Sequence, residues 1–253
     1  MAQDRGSRGG KGQPSINYTA GVRANELAET LSDLARSLQD ERDVDDTLTA
    51  IVSAAVHTVP GTRYAGITVV QARRAVETRA ASDELVRKVD EAQYDTGQGP
   101  CLDATWVQQT VRLTDMAAEQ RWPEFTRRAA HLGVRSMLSF QLFVTRDNLG
   151  ALNLYSDEPE AFTDESEYVG LLFAAHAAVA LVGAQQHQSL TLAVSMRDLI
   201  GQAKGILMER HRISADQAFE LLVRASQRTN TKLAEIARVL TETGELPRPG
   251  KRR

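Results

Sequence analysis

Proline is absent from residues 160–246 of this 253-residue chain, although seven prolines lie outside that segment. Because proline breaks helices, its absence permits long helices throughout. Apolar and small side chains recur there at alternating spacings of four and three residues. This heptad-like pattern predicts one long helix, with a coiled-coil seam or with packing on its own domain, and Gln186 and Ser189 mark a possible joint. The seam comprises Tyr168, Leu172, Ala175, Val179, Val182, Gln186, Ser189, Ala193, Met196, Ile200, Ala203 and Leu207.

Two shorter helices are expected after the long one. Ser214 and Gln217 have the spacing of a capping box, and the helix that they begin carries an apolar stripe that includes Ala218. Phe219 lies beside this stripe and is expected in the core. A third helix is expected to end near Gly244. The sequence therefore predicts a small three-helix bundle at the C-terminal end.

The first two thirds of the chain mix both kinds of periodicity. Runs rich in β-branched residues alternate with helical patterns, and glycine-containing turns separate paired runs. A mixed α and β domain follows. The predicted elements are helices from Glu26 and after Asp43, a hairpin of Tyr64–Val70 and Ala75–Ala81, a helix Asp83–Ala92, a loop Tyr94–Cys101, a strand Val111–Leu113, a helix Pro123–Leu132, and a hairpin of Ser136–Val144 and Leu149–Tyr155 with Gly150 in its turn.

The net charge of −3 conceals an uneven distribution. Residues 1–24 carry +3, residues 25–188 carry −11, and residues 189–253 carry 12 Lys and Arg against 7 Asp and Glu, a net charge of +5. An acidic body followed by a basic module indicates that only the C-terminal part binds a polyanion.

A set of short motifs extends across the three helices predicted for residues 192–247. They are Gln202–Met208, Ala218-Phe219, Ser226-Gln227, Asn230, Lys232-Leu233 and Ile236-Ala237. Through these motifs the segment resembles the ANTAR domain, an RNA-binding antitermination module. The resemblance implies binding of paired RNA stem-loops with hexanucleotide loops, which prevents an overlapping terminator hairpin from forming.

Residues 25–185 resemble a GAF sensory domain through the motifs Tyr94–Cys101, Arg121–Pro123 and Gly150–Tyr155. The fold class expected is α+β, a mainly antiparallel sheet flanked by helices and linked by a long helix to an all-α three-helix ANTAR bundle. The domains expected are a disordered tail at 1–24, a GAF domain at 25–185, an ANTAR domain at 186–247 and a basic tail at 248–253.

RNA binding needs cations for phosphates and polar or stacking groups for exposed bases. Since Phe219 is the single aromatic of the C-terminal module and is expected in the core, we predict recognition by arginine, amide and hydroxyl groups. The alternative role of Asn230 is to cap a helix, and that of Ser226 is to form a hydrogen bond with its own helix. Gly205 is expected to permit close helix packing. The candidates are Lys204, Arg224, Ser226, Gln227, Arg228, Asn230 and Lys232.

The GAF domain is expected to sense an unidentified small ligand near Tyr94, Gly97, Gly99 and Cys101. Cys101 is either a redox sensor or a buried structural cysteine, and the second condition is the commoner. As the single cysteine it allows no intramolecular disulfide, and the five histidines show no metal-ligand spacing. No catalytic arrangement is evident, so the chain is predicted not to be an enzyme.

Residues 1–12 lack the apolar run of a signal peptide, and the apolar run 169–184 is shorter than the ~20 residues that span a bilayer. We therefore expect a cytoplasmic protein without membrane contact. The leading hypothesis is a homodimeric, signal-responsive RNA-binding antiterminator. The alternatives are a DNA-binding regulator with a helix-turn-helix-like bundle and a GAF metabolite sensor that acts through protein contacts.

Overall fold

The chain divides into two compact units, residues 1–184 and residues 185–253. The computed structural model describes residues 29, 32, 33, 35, 36, 43–71, 75–107, 109–144 and 147–247. The predicted tails at 1–24 and 248–253 lie outside these residues, as does most of the helix predicted from Glu26.

A five-stranded antiparallel sheet of strand order β2-β1-β5-β4-β3 is the centre of the first unit. Both predicted hairpins are present, and β1 also pairs with β5. The elements, in chain order, are α1 Val44–Thr58, β1 Tyr64–Gln71, β2 Ala75–Ala81, α2 Glu84–Thr96, α3 Pro100–Trp106, β3 Thr110–Leu113, α4 Pro123–His131, β4 Ser136–Val144, β5 Asp147–Ser156, α5 Asp164–His211, α6 Ala215–Thr229 and α7 Leu233–Thr243.

Side-chain caps explain where three of these helices begin. Asp43 accepts a hydrogen bond from the backbone N–H of Asp45 at 2.8 Å and so begins α1. Asp83 caps α2 in the same way. Ser214 and Gln217 form the predicted capping box of α6. Each cap satisfies a backbone N–H that has no partner within its helix.

Alternation along the strands gives the sheet two buried faces. On β5, Leu152 and Leu154 belong to the core beneath α1 and the first part of α5, while Ala151 and Tyr155 belong to the core beneath α2, α3 and α4. Because successive strand residues point to opposite faces, one strand supplies both cores. The second face also carries the polar residue Asn153, which is fully buried.

As the pattern predicts, α5 is one long helix, and it continues through Gln186 and Ser189. Its buried face, which includes Phe173 and Ala177, packs in the first unit. Seam residues such as Val179 are exposed there. The helix therefore packs on its own domain and presents part of the seam to solvent, whereas the seam residues Ala203 and Leu207 are buried in the second unit. Among the described residues, α5 is the one helix long and apolar enough to cross a membrane by length and composition alone.

Two local predictions in the first unit were wrong. Residues 94–96 belong to α2, so the predicted loop shrinks to Gly97–Gly99. Gly150 lies within β5 rather than in the hairpin turn, with a φ of 142°. A Cβ at Gly150 would lie 1.8 Å from the carbonyl oxygen of Thr68, so glycine is needed because two backbones approach closely.

The end of α5 forms the second unit's core with α6 and α7. Gly205 does not pack closely against another helix, contrary to prediction, because nothing lies within 4 Å of a Cβ placed there. The buried members of the core are Ala203, Leu207, Ala218, Leu222, Ala225, Ile236, Ala237 and Leu240.

We predict that Gly150→Ala destabilises the first unit more than Gly133→Ala does. Both positions have a positive φ, but a Cβ at Gly133 meets nothing within 4 Å. Gly133→Ala should cost about 1–3 kcal/mol of unfolding free energy from backbone strain, whereas Gly150→Ala must also displace a paired strand. Urea denaturation measures both, and equal losses would contradict the close approach at Gly150.

Candidate functional site

The polar candidates of the second unit cluster around the turn between α6 and α7. Asn230 ends α6 in the left-handed conformation, with a φ of 52°. The Ser226 hydroxyl donates to the backbone carbonyl of Thr231 at 2.6 Å. Ser226 therefore bonds forward to the turn and not back into its helix. Lys232 is exposed and precedes α7 as its N-cap residue without a side-chain cap bond.

Three further candidates lie on the solvent side of α6. Arg224, Gln227 and Arg228 are all exposed, and their spacing places them on one face. Arg224 pairs with Glu220 at 3.3 Å, an exposed ion pair of little net stability that a phosphate can replace. Arg228 and Lys232 form no ion pair with any residue that the structure describes. Their charges are thus available to a polyanion.

Lys204 lies apart from this cluster. It is half-buried on α5, and its Nζ lies 6.0 Å from the centroid of the Phe219 ring. At 100° per residue, Arg224 and Arg228 lie roughly 140° and 180° around α6 from Phe219. The predicted residues thus form two groups, one at the α6–α7 turn and one beside Phe219.

Phe219 was predicted in the core, but the structure exposes 41% of it. The core is filled by Ala218, Leu222 and Ala225, and Phe219 lies one residue beyond that stripe. Sequence analysis therefore missed an exposed aromatic side chain beside Lys204. The helical spacing indicates this exposure. Phe219 lies 100° around the helix from Ala218, the first residue of the apolar stripe, and therefore lies at the edge of the buried face.

In the first unit, the structure brings Tyr94 and Cys101 into one buried polar cluster. The Cys101 thiol donates to Thr68 Oγ1 at 3.3 Å, and the Tyr94 hydroxyl lies 2.8 Å from Thr68 Oγ1 and 2.9 Å from Thr78 Oγ1. Thr78 Oγ1 in turn donates to the carboxylate of Asp90 at 2.7 Å. Because each hydroxyl has one proton, the bonds run in one direction, from Cys101 through Thr68, Tyr94 and Thr78 to Asp90.

The two predicted glycines form the turn that delivers Cys101 to this cluster. Gly97 is exposed and ends α2 with a φ of 64°. Gly99 is buried, and a Cβ there would lie 2.3 Å from Gln93 Oε1. That oxygen accepts the backbone N–H of Cys101 at 2.9 Å. The glycines thus position the start of α3.

Asp90 is the residue that sequence analysis missed in this cluster. It lies in a strongly charged helix, yet it is fully buried and accepts hydrogen bonds from Tyr155, Thr78 and Gln93. Burial raises the pKa of Asp90 to about 6, although these hydrogen bonds oppose the shift. The sequence indicates this burial through spacing, because Asp90 lies four residues after Val86 and therefore on the same buried face of α2.

Cys101 does not have the properties of a reactive thiol. It is fully buried, and burial together with the charge of Asp90 raises the pKa of its thiol to about 12. The thiol therefore stays protonated near neutral pH, which disfavours the redox-sensor interpretation. Burial likewise raises the pKa of Tyr94.

Two buried polar atoms near this cluster have no partner among the described residues: Ser139 Oγ and Asn153 Oδ1. The two residues are directly opposite in the β4–β5 register, so they lie on one face of the sheet. Asn153 Nδ2 donates to Thr68 Oγ1 at 3.1 Å. The cluster can thus accept or donate further hydrogen bonds. The described residues hold no group of three or more His, Cys, Asp or Glu side chains suited to a metal ion.

Comparison with known proteins assigns both units. A GAF-domain family model matches residues 41–182, and an ANTAR-domain family model matches residues 188–240. No curated protein matches the chain. Together the two domains define a class of signal-responsive transcription regulators. The chain belongs to the GAF domain family and carries a C-terminal ANTAR domain.

Solved structures support the GAF fold. The chain is similar to the GAF domain of a phosphoenolpyruvate-protein phosphotransferase from Coxiella burnetii (TM-score 0.51, 14% identity, 64% of this chain and 96% of that chain). It is also similar to a free methionine-R-sulfoxide reductase from Neisseria meningitidis (TM-score 0.52, 18% identity, 65% of this chain and 93% of that chain). At these identities the likeness shows the fold alone.

The domain pair fixes the general function. ANTAR domains are RNA-binding regulators, and a GAF domain supplies a sensory input. The protein is therefore a GAF-regulated ANTAR antitermination regulator with RNA as its partner.

We predict that Asp90→Asn removes a pH dependence of stability. Asp90 holds its proton in the folded protein at pH values where the unfolded chain has lost it, so its contribution is full below about pH 4 and is lost as pH rises through about 6. From pH 4 to pH 7, the unfolding free energy of the variant relative to wild type should rise by about 1–3 kcal/mol.

Urea denaturation across this pH range measures the effect. Glu91→Gln, an exposed carboxylate on the same helix, serves as the matched control. Parallel pH profiles for wild type and Asp90→Asn would contradict a buried, proton-linked carboxylate.

Proposed function

We propose that the protein binds paired stem-loops with hexanucleotide loops in nascent RNA and thereby prevents a terminator hairpin from forming. The observation that carries this proposal is the ANTAR match on a bundle whose unpaired cations flank an exposed polar turn. In this proposal, Arg228 and Lys232 contact phosphates while Gln227 and Asn230 contact loop bases. Nascent RNA as the target places the protein in the cytoplasm.

The active form in this proposal is a homodimer through α5. Helix α5 packs its buried face on the sheet and leaves the seam residues Tyr168 (63% exposed), Ala175 and Val179 (67% exposed) in water, and the dimer proposed here pairs through this part of the seam. Exposed apolar side chains at heptad spacing favour pairing with a second copy of the same helix. Two paired stem-loops then meet two ANTAR domains.

The GAF domain acts as a sensor and not as an enzyme in this account. Its buried polar cluster ends at a carboxylate, Asp90, and carries unpartnered atoms on Ser139 and Asn153. A signal that changes this cluster would bias the dimer between two arrangements with different RNA affinity. The one cysteine is buried and protonated, which disfavours a nucleophilic role.

We predict that replacing Arg228 and Lys232 together by alanine weakens RNA binding at least tenfold. Removal of two phosphate contacts should also lower the slope of log affinity against log salt by about 1.5. Fluorescence anisotropy of the full-length protein with a tandem hexaloop RNA measures both quantities. The control replaces Lys88 and Arg135, two exposed cations of the GAF domain, with the same loss of charge.

Unchanged affinity and slope in the Arg228 and Lys232 variant would reject the interface. Duplex DNA as competitor separates the rival function. If DNA displaces the RNA at equal concentration, the bundle is a DNA-binding module instead.

We predict that Val179→Glu converts the dimer to a monomer. A carboxylate at this seam position would be buried against its own copy in the partner helix, at a cost of several kcal/mol. Sedimentation velocity measures the change, and Gln185→Glu, an exposed position outside the seam, is the control. A wild-type monomer, or a dimer that survives Val179→Glu, would contradict pairing through the seam.

A further inference from the structure

A groove of about 510 Å³ crosses the surface of the C-terminal bundle between α5 and α6. Its apolar lining includes Met196, Ile200, Gly201 and Phe219, and its charged lining residues are Arg197 and Lys204. Every one of these residues belongs to the second unit. The groove lies on a different side of α6 from Arg224 and Arg228.

Two large apolar side chains of this groove remain in water. Phe219 is 41% exposed and Met196 is 44% exposed, whereas the bundle core is complete without them. Leaving such surface in water has a free-energy cost that a bound partner would remove. Phe219 and Met196 therefore offer apolar surface to an occupant of the groove.

Charge identifies the chemistry of that occupant. Arg197 and Lys204 are both cationic, and no acidic residue of the part of the chain that the structure describes lines the groove. The Nζ of Lys204 lies over the Phe219 ring, 6.0 Å from its centroid, so a cation and an exposed aromatic ring occur together. A nucleotide matches both features, with a planar base for the ring and a phosphate for the cations. Met196 and Ile200 also belong to the heptad seam. However, a second copy of α5 on this part of the seam would bury the cations Arg197 and Lys204, which is unfavourable, so dimer pairing is assigned to the part of the seam before residue 185.

We propose that this groove binds one unstacked loop base of the RNA, with the base on Phe219 and its flanking phosphates at Lys204 and Arg197. The inference rests on the proposed RNA-binding function and adds a base-stacking subsite to it. Gly201 leaves the floor of the groove open, because nothing lies within 4 Å of a Cβ built there.

The test uses the full-length protein and a synthetic RNA of two stem-loops whose hexanucleotide loops are selected from a randomised pool. Phe219→Leu keeps an apolar side chain but removes the ring, and affinity should fall by about 5- to 150-fold, the range for loss of one stacked base. Phe219→Tyr keeps the ring and should bind within about threefold of wild type. Gly201→Leu fills the floor without removing a ring or a charge and should also weaken binding.

A modified probe locates the stacked base. An abasic nucleotide is placed at each loop position in turn. At one position it should lower the affinity of the wild-type protein as much as the Phe219→Leu substitution does. At the same position it should lower the affinity of the Phe219→Leu variant little further. Thermal unfolding confirms that each variant is folded, and Gly201→Leu should not lower the melting temperature because leucine favours helix more than glycine does.

The outcomes separate the two proposals. If Phe219→Leu binds as tightly as wild type while the Arg228 and Lys232 variant fails to bind, the RNA-binding function stands and the groove is not a base site. A dimer that dissociates in Phe219→Leu would assign the groove to a second copy of the chain and overturn the inference. If the pool yields no RNA that wild type binds, both proposals fail.

Discussion

Helix α5 contributes side chains to two separate hydrophobic cores, and both domains depend on it. Phe173 and Ala177 pack beneath the GAF sheet, while Ala203 and Leu207 pack in the ANTAR bundle. One helix of 48 residues therefore belongs to both domains. Neither core is complete without the side chains of this helix.

The long helix and the bundle could be predicted because local patterns determine them. The proline-free segment and the capping box at Ser214 depend on neighbours along the chain alone. The two hairpins were also predictable, since alternation and turn residues are local signals. The heptad-like pattern predicted one long helix, which continues through Gln186 and Ser189 because polar residues interrupt such a pattern without interrupting helical hydrogen bonds.

The features that sequence analysis missed depend on tertiary contacts. Gly150 looked like a turn residue, but the close approach of β1 requires glycine at that point in β5. Asp90 lies in a strongly charged helix, but it shares the buried face of Val86, and Tyr155 of β5 donates a hydrogen bond to it there. Phe219 looked like a core residue, yet Ala218 fills that position instead. For Gly150 and Asp90, the residue that decides the outcome is distant in sequence. For Phe219, it is the adjacent residue on the same helix.

Crosslinking of the full-length protein to cellular RNA, followed by sequencing of the bound fragments, would test whether the protein acts on paired stem-loops. We expect fragments that share two adjacent stem-loops with hexanucleotide loops, placed so that they overlap a terminator hairpin. Fragments without a shared secondary structure, or no recovered RNA at all, would contradict the assignment of this protein as an antitermination regulator that acts on paired stem-loops.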